Sequence, residues 1–286
     1  KQVMNKNPIT SLSPYSRKEV LTQMSEKDLL HMPIVGNDGA LCGLETLQHL
    51  IEKKSYDNPI FLMAGGFGSR LHPLTDKTPK PLLHVGNKPL LETILMQFID
   101  AGFHNFFISI YYKSEMIKEY FGDGSSWGVS IQYVQEEKPL GTAGALALLP
   151  DDLPDLPLIM MNGDILTKID LEYLLHFHNN NSAIATMCVR KYDFQVPYGV
   201  VEINESHVTD MKEKPLHSYF INAGIYVIDR SLIKNNNQNS KIDMPDFLYK
   251  HIDKKQIKAF PIHEYWLDIG HMKEYERANY DAQNFS

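Results

Sequence analysis

Cysteine is scarce in this chain: Cys42 and Cys188 are the two among 286 residues. They form no C-x-x-C pair, and no Cys/His spacing suits zinc. A disulfide framework and a zinc finger are thereby excluded, and reduced thiols in a cytoplasmic protein are expected. Long apolar runs are missing too. None approaches 18 residues, so no membrane span is expected. No signal peptide is read, and the chain begins at Lys1 instead of Met, as expected of a fragment. An excess of positive charge is absent. The net charge of -7 argues against a nucleic-acid surface, so any anion site must be locally basic. His176 and His178 stand two apart on a predicted helix, face different sides and cannot chelate together. No G-x-S-x-G elbow occurs. The polar NNNQN tract near 235 reads as a loop.

What is present centres on Leu62–Leu91, LMAGGFGSRLHPLTDKTPKPLLHVGNKPLL. Pro59 to Ala64 reads as a buried strand, a short apolar run ended by glycines. Pro89–Gly102 reads as a helix, with Leu90, Leu91, Ile94, Leu95, Phe98 and Ile99 on one face. The glycine loop therefore lies at the carboxyl end of a strand, where open α/β sheets bind ligands. A P-loop would need G-x-x-x-x-G-K-[ST], and the lysine is missing. The dinucleotide fingerprint G-x-G-x-x-G fails at Leu71, which disfavours a nicotinamide oxidoreductase. Glycines alone would supply only positive φ. With Arg70 and Lys80 in the same unit, they make a site for a polyphosphate.

Hydrophobic patterning places further strands at His104–Tyr111, Val129–Val134, Pro157–Met161, Ala183–Arg190, Gly199–Ile203, Phe220–Ile228 and Ile257–Ile262. Helices are expected at Ser114–Phe121, Gly141–Leu149, Asp170–Asn180, Met244–Ile252 and Met272–Asn284. Alternating strands and helices imply a doubly wound α/β fold with a mostly parallel, mixed sheet. Residues 1–54 read as a separate small α+β unit. It has a helix at Ser16–Lys27, strands Met32–Val35 and Leu41–Leu44 around the turn Gly36-Asn37-Asp38-Gly39, and a closing helix from Thr46. A polar linker, EKKSYDN, separates it from the main domain at 59–286.

Gly65–Thr75 followed by Lys80-Pro81 resembles the signature of the sugar-1-phosphate nucleotidyltransferases, GGxG[ST]RLxPLT and then a lysine-proline pair. The resemblance runs over residues 59–286 and implies a Rossmann-like, GT-A-like domain. In it Ala64, Gly65, Gly66, Gly68 and Ser69 wrap a nucleoside triphosphate, and Arg70 and Lys80 steady its phosphates. Asp164 in MNGD and Asp268 in YWLDIG each read alone as turn or cap aspartates. Two acids at strand ends beside a phosphate loop suit Mg²⁺, which binds through one or two carboxylates with phosphates and water. The resemblance implies that role for both. It further implies that Lys214 of Glu213-Lys214-Pro215 holds the sugar phosphate and Glu213 the sugar hydroxyls. Gly199 would lie against the sugar, and Asn162 and Asn222 would belong to the same subsite.

Aligning Gly141 and Thr142 of the GTAG turn with the family's nucleotide pocket puts Glu136 against the base edge. An ionised carboxylate only accepts, which suits the paired donors of guanine and not uracil or thymine. The expected partners are therefore GTP and a hexose-1-phosphate, glucosamine- or mannose-1-phosphate, in a homo-oligomer. The alternatives are a uridylyl- or thymidylyltransferase and a catalytically silent subunit that senses nucleotide-sugars. Residues 1–54 resemble a single cystathionine-β-synthase (CBS) motif, a module that works in pairs and often binds adenine nucleotides. His49 stands where the ribose-binding aspartate belongs, so a packing role is expected.

Overall fold

The computed structural model describes residues 8–12, 17–36, 39–51, 55–234, 241–252 and 255–284. The turn residues Asn37 and Asp38, linker residues 52–54, the tract at 235–240 and the side chain of His49 lie outside the described residues. Two compact units divide the chain, one ending at Ser55 and the other beginning at Tyr56. In the first, β1 (Ser11–Leu12), α1 (Arg17–Glu26), β2 (His31–Val35), β3 (Leu41–Thr46) and α2 (Leu47–Ile51) follow in order. β2 pairs in parallel with β1 and antiparallel with β3. Val20 and Met24, one helical turn apart, meet Met32 and Leu50 in a small core.

The second unit runs β4 (Ile60–Met63), the short pair β5 (His84–Val85) and β6 (Lys88–Pro89), α3 (Leu90–Asp100), β7 (Asn105–Ile110), α4 (Ser114–Phe121), β8 (Ser130–Gln135), α5 (Gly141–Gly144), β9 (Leu158–Asn162) and β10 (Ile165–Thr167). It continues with α6 (Leu171–Asn180), β11 (Ala185–Gln195), β12 (Val200–Asn204), β13 (His207–Lys212), β14 (Leu216–Ile228), α7 (Arg230–Lys234), α8 (Met244–Tyr249), β15 (Ile257–Ile262), β16 (Trp266–Asp268) and α9 (Met272–Asn284). Its central sheet has the order β15-β11-β14-β9-β4-β7-β8. β14 runs against its neighbours β9 and β11, and the remaining pairings are parallel, so the sheet is mixed.

β4 lacks polar residues because both its faces are covered. Ile60 and Leu62 join one core with Leu91, Phe98 and Phe106, while Phe61 joins another with Phe107, Met160 and Phe247. The chain winds from β4 through β7 to β8, then returns to the other side of β4 to lay down β9. That reversal opens a crevice at the carboxyl ends of β4 and β9, the position where doubly wound sheets take ligands.

Several expected elements differ in extent. The α-helix from Gly141 ends at Gly144 and continues as 3₁₀ turns at Ala145–Leu148. The Ile242 carbonyl takes the Ala143 and Gly144 amides, at 3.0 and 3.1 Å, so the start of this helix is tied to a remote segment. The helix expected to reach Ile252 stops at Tyr249. β11 and β14 outrun their expected bounds. Their outer halves, Lys191–Gln195 and Leu216–Phe220, pair with each other with exposed side chains, so backbone bonding extends them where hydrophobic patterning does not. The acid cap expected for α6 is present: Asp170 accepts from Tyr173 N at 2.9 Å. His178 is a satisfied interior residue, 2.9 Å from Thr186 Oγ1, and burial lowers its pKa.

Candidate active site

β4 and β9 end flush, with Met63 opposite Asn162. Gly163 N then donates to Met63 O at 2.9 Å. A Cβ on Gly163 would stand 2.5 Å from that carbonyl, so the close approach requires glycine. It delivers Asp164 to the mouth of the glycine loop. Within the loop, Gly68 has φ +63, and a Cβ there would meet Thr75 Cγ2 at 2.8 Å and Lys80 Cβ at 3.0 Å. Thr75 Oγ1 donates to Gly68 O at 3.0 Å and pins the turn. The 3₁₀ turn Ser69–Leu71 follows and carries Arg70 to the cleft.

A cleft of about 280 Å³ results, lined by Gly66, Gly68, Ser69, Arg70, Lys80 and Asp164, with Phe67 and Gly270. Lys80 Nζ pairs with Asp164 Oδ2 at 2.6 Å, both side chains largely shielded. Asp268 arrives by a different route. β10 and β16 form a short antiparallel ladder with Ile165 opposite Asp268, and Ile269 N donates to Asp164 O at 3.0 Å. Strands of three residues carry no hydrophobic period, so nothing in the sequence marks this ladder. Asp268 reaches solvent, yet the surrounding protein withholds part of its hydration. That desolvation, then the charge of Asp164, raises its pKa; Lys80 and Arg70 oppose the shift. Arg70 Nη1 lies 3.4 Å from His271 Nε2.

A second cleft of about 260 Å³ shares Met63, Gly66, Phe67 and Asp164 with the first. Gly65, Glu136, Gly141, Thr142 and Asn162 line it, together with Pro139 and Asp243. Asn162 Oδ1 is buried with no hydrogen-bond partner among the described residues. The two clefts thus meet at the glycine loop and Asp164, with the cationic side chains of Arg70 and Lys80 in the first.

A family model for nucleotidyl transferases matches residues 60–284. This chain belongs to that family. The nucleotidyltransferase is 31% identical over 226 residues to the D-glycero-alpha-D-manno-heptose 1-phosphate guanylyltransferase of Aneurinibacillus thermoaerophilus, across 78% of this chain and 98% of that one. It is 31% identical over 228 residues to the mannose-1-phosphate guanylyltransferase of Mycobacterium tuberculosis, across 77% of this chain and 63% of that one. It therefore spans less than two thirds of that mannose-1-phosphate relative. Among solved structures, a putative glucose-1-phosphate thymidylyltransferase from Bacillus anthracis, in complex with a sucrose, superposes with a TM-score of 0.65 at 24% identity, over 80% of this chain and 96% of that one. HddC from Yersinia pseudotuberculosis complexed with GMP-PN gives 0.60 at 24%, over 80% and 100%. These two likenesses are ones of fold.

The nucleotidyltransferase gathers some expected site residues and not others. Asp268 lines neither cleft itself; its Oδ1 stands beside Gly270, which lines the first, and the charge of Asp164 acts on it. Ala64 lines that cleft as well. Gly199, Glu213, Lys214 and Asn222 line neither cleft. Glu213 Oε2 lies over Gly199, 3.0 Å from where its Cβ would stand. Lys214, at φ +44, accepts from Gln195 Nε2 at 3.2 Å through its carbonyl. Asn222 donates to the Tyr226 hydroxyl and accepts from Gly224 N at 3.1 Å.

Sequence reasoning missed Phe67, Asp243 and His271. Phe67 sits in the variable place of the glycine motif and packs edge-on against Tyr111, centroids 5.4 Å apart. His271, three residues past Asp268, and Asp243, beside a loop and a short helix, carried no local signal.

Among the described residues no three His, Cys, Asp or Glu side chains gather into a metal site. The oxygen donors of Asp164 and Asp268 nevertheless fit a hard cation. Desolvation, then the charge of Asp164, raises the pKa of Asp268, and a bound cation would offset both.

Proposed function

We propose that this nucleotidyltransferase joins GTP to a hexose-1-phosphate, giving a GDP-sugar and pyrophosphate. The observation that carries the reading is the convergence of Arg70, Lys80 and Asp164 on a glycine loop, with Asp268 under the charge of Asp164, beside a second cleft. The guanylyltransferase relatives support the choice of nucleotide. Glu136, expected at the base edge, lines that second cleft, but Ser109 Oγ and Leu140 N engage both its oxygens, so it lends the choice of base no support.

A sugar-1-phosphate, like other phosphate monoesters with a second pKa near 6, is largely dianionic at neutral pH and needs no base. One of its oxygens bonds to the α-phosphorus of GTP. The bond from that phosphorus to the β-bridging oxygen breaks, and pyrophosphate leaves with the electron pair. The protein's task is to hold two polyanions in line and spread their charge. Arg70 holds the departing pyrophosphate, Lys80 the transferring phosphate and Lys214 the sugar phosphate. Gly199, Glu213, Asn162 and Asn222 contact the sugar. Lys80, already paired with Asp164, stays oriented before substrate arrives. Asp164 and Asp268 would hold Mg²⁺, which when bound would supply further neutralisation of phosphate charge.

In the same reading the first unit is a CBS-type module, supported by its order of strand, helix, two strands and helix. The enzyme is read as cytoplasmic and homo-oligomeric; no helix among the described residues is long and apolar enough to cross a membrane.

Pyrophosphate release with GTP, UTP and dTTP against mannose-, glucosamine- and heptose-1-phosphates tests the assignment. GTP with one of these sugars is expected to turn over fastest. No release with any pair, or a preference for UTP or dTTP, would overturn it.

A further inference from the structure

Besides Asp164, two carboxylates line the second cleft, and they are not equivalent. Glu136 is buried, and both its oxygens are engaged: Oε1 accepts from Ser109 Oγ at 2.5 Å and Oε2 from Leu140 N at 2.9 Å. Those bonds tie the end of β7 to the turn before α5, so Glu136 shapes the wall of the cleft. Asp243 is exposed at the same cleft. It occupies the N-cap position of α8, where an aspartate ordinarily accepts from the first amides of its own helix. It makes no such bond. Thr142 does that work from outside, its hydroxyl accepting from Met244 N at 2.8 Å. Asp243 Oδ1 turns to Thr142 N at 3.2 Å, and Oδ2 receives no hydrogen bond among the described residues. Neighbouring backbone fixes the segment, because Ile242 N donates to Leu140 O at 2.9 Å and the Ile242 carbonyl takes two amides of α5.

A carboxylate released from capping, held by one oxygen and exposed by the other at a nucleotide cleft is placed to read a ligand. We infer that Asp243 is a base-specificity residue, accepting through Oδ2 from the exocyclic amine of guanine; the inference rests on the guanylyl reading above. Uracil and thymine offer one N–H between two carbonyls, which a carboxylate repels. Hypoxanthine keeps the N1–H of guanine and lacks the amine, so GTP against ITP isolates a single bond.

The test measures kcat/KM for GTP and ITP, and for UTP and dTTP, with the wild type and Asp243→Asn. The asparagine retains an oxygen for the Thr142 amide. The wild type is expected to favour GTP over ITP by about tenfold or more, the scale of one hydrogen bond to a charged group. In Asp243→Asn that ratio should fall to within about threefold, with the KM for sugar phosphate unchanged. General loosening of the cleft would lower both purine nucleotides alike and leave the ratio intact. Asp243→Ser, which keeps a side-chain oxygen suited to the N-cap of α8 and removes the carboxylate, should collapse the ratio in the same way and guards against a folding defect in the first variant. A wild-type GTP/ITP ratio in both variants, with GTP still ahead of UTP and dTTP, overturns the role of Asp243 and leaves the guanylyl reading standing. A wild type that prefers UTP or dTTP overturns both.

Discussion

Replacing Asp268 by asparagine should move stability and turnover in opposite directions. Burial and the charge of Asp164 hold the pKa of Asp268 above its ordinary value of 3.8, despite the pull of Lys80 and Arg70. A carboxyl whose folded pKa exceeds its unfolded one favours the fold while it is protonated. That contribution is complete below the unfolded pKa and is lost as pH rises through the folded one, so ionised Asp268 is a burden at neutral pH. Asparagine never ionises. Because the side chain reaches solvent, screening keeps the relief near about 0.5–1 kcal/mol, or about 1–4 °C in Tm for a domain of this size. Turnover should fall. Losing a carboxylate that stabilises transition-state charge removes about 3–5 kcal/mol, about 10²–10⁴-fold in rate. The Lys80–Asp164 pair is left in place, so the loss reports Asp268 itself. Thermal unfolding in EDTA should show the variant melting higher at neutral pH, with the gap closing as pH falls toward the range where Asp268 protonates. Pyrophosphate release at saturating Mg²⁺ gives the rate. A variant that melts lower in EDTA at neutral pH, or that turns over within tenfold of wild type, would refute the reasoning.

Arg70→Ala should raise the KM for the triphosphate, and Lys214→Ala that for the sugar phosphate, each by about 10–100-fold, the scale of a charge-assisted hydrogen bond. Steady-state kinetics in each substrate separately will show it, and identical effects on both substrates would count against these roles. Gly163→Ala forces a Cβ against the Met63 carbonyl and should lower stability by about 1–3 kcal/mol while displacing Asp164; wild-type melting together with wild-type turnover would contradict this. Removing residues 1–54 should preserve turnover and alter association or regulation, as read by sizing chromatography and the same assay. A dead or insoluble truncation would make that segment part of the catalytic fold.

Local chemistry was enough to read β4, the glycine loop and α3, because each is written in neighbouring residues. The apolar run of β4 reflects cover on both faces, and the 3.6-residue spacing of Leu91, Ile94, Leu95 and Phe98 marks the buried side of α3. The ordering of strands and helices likewise implied an open α/β sheet, with its ligand crevice where the strand order reverses. The meeting of Asp164 with Asp268 was different. It depends on β10 and β16, three residues each, too short for a period to show and stable only because they pair with each other. The same limit hid Asp243, which gains its place from backbone hydrogen bonds between Ile242 and the Leu140–Gly144 turn. It also hid the long outer halves of β11 and β14, whose exposed side chains carry no burial pattern and whose order comes from the ladder between them. Patterning encodes which side of an element is buried. Which distant elements then share a ladder or a cleft is decided by the packing that satisfies their backbone groups, and that information exists only in the folded chain.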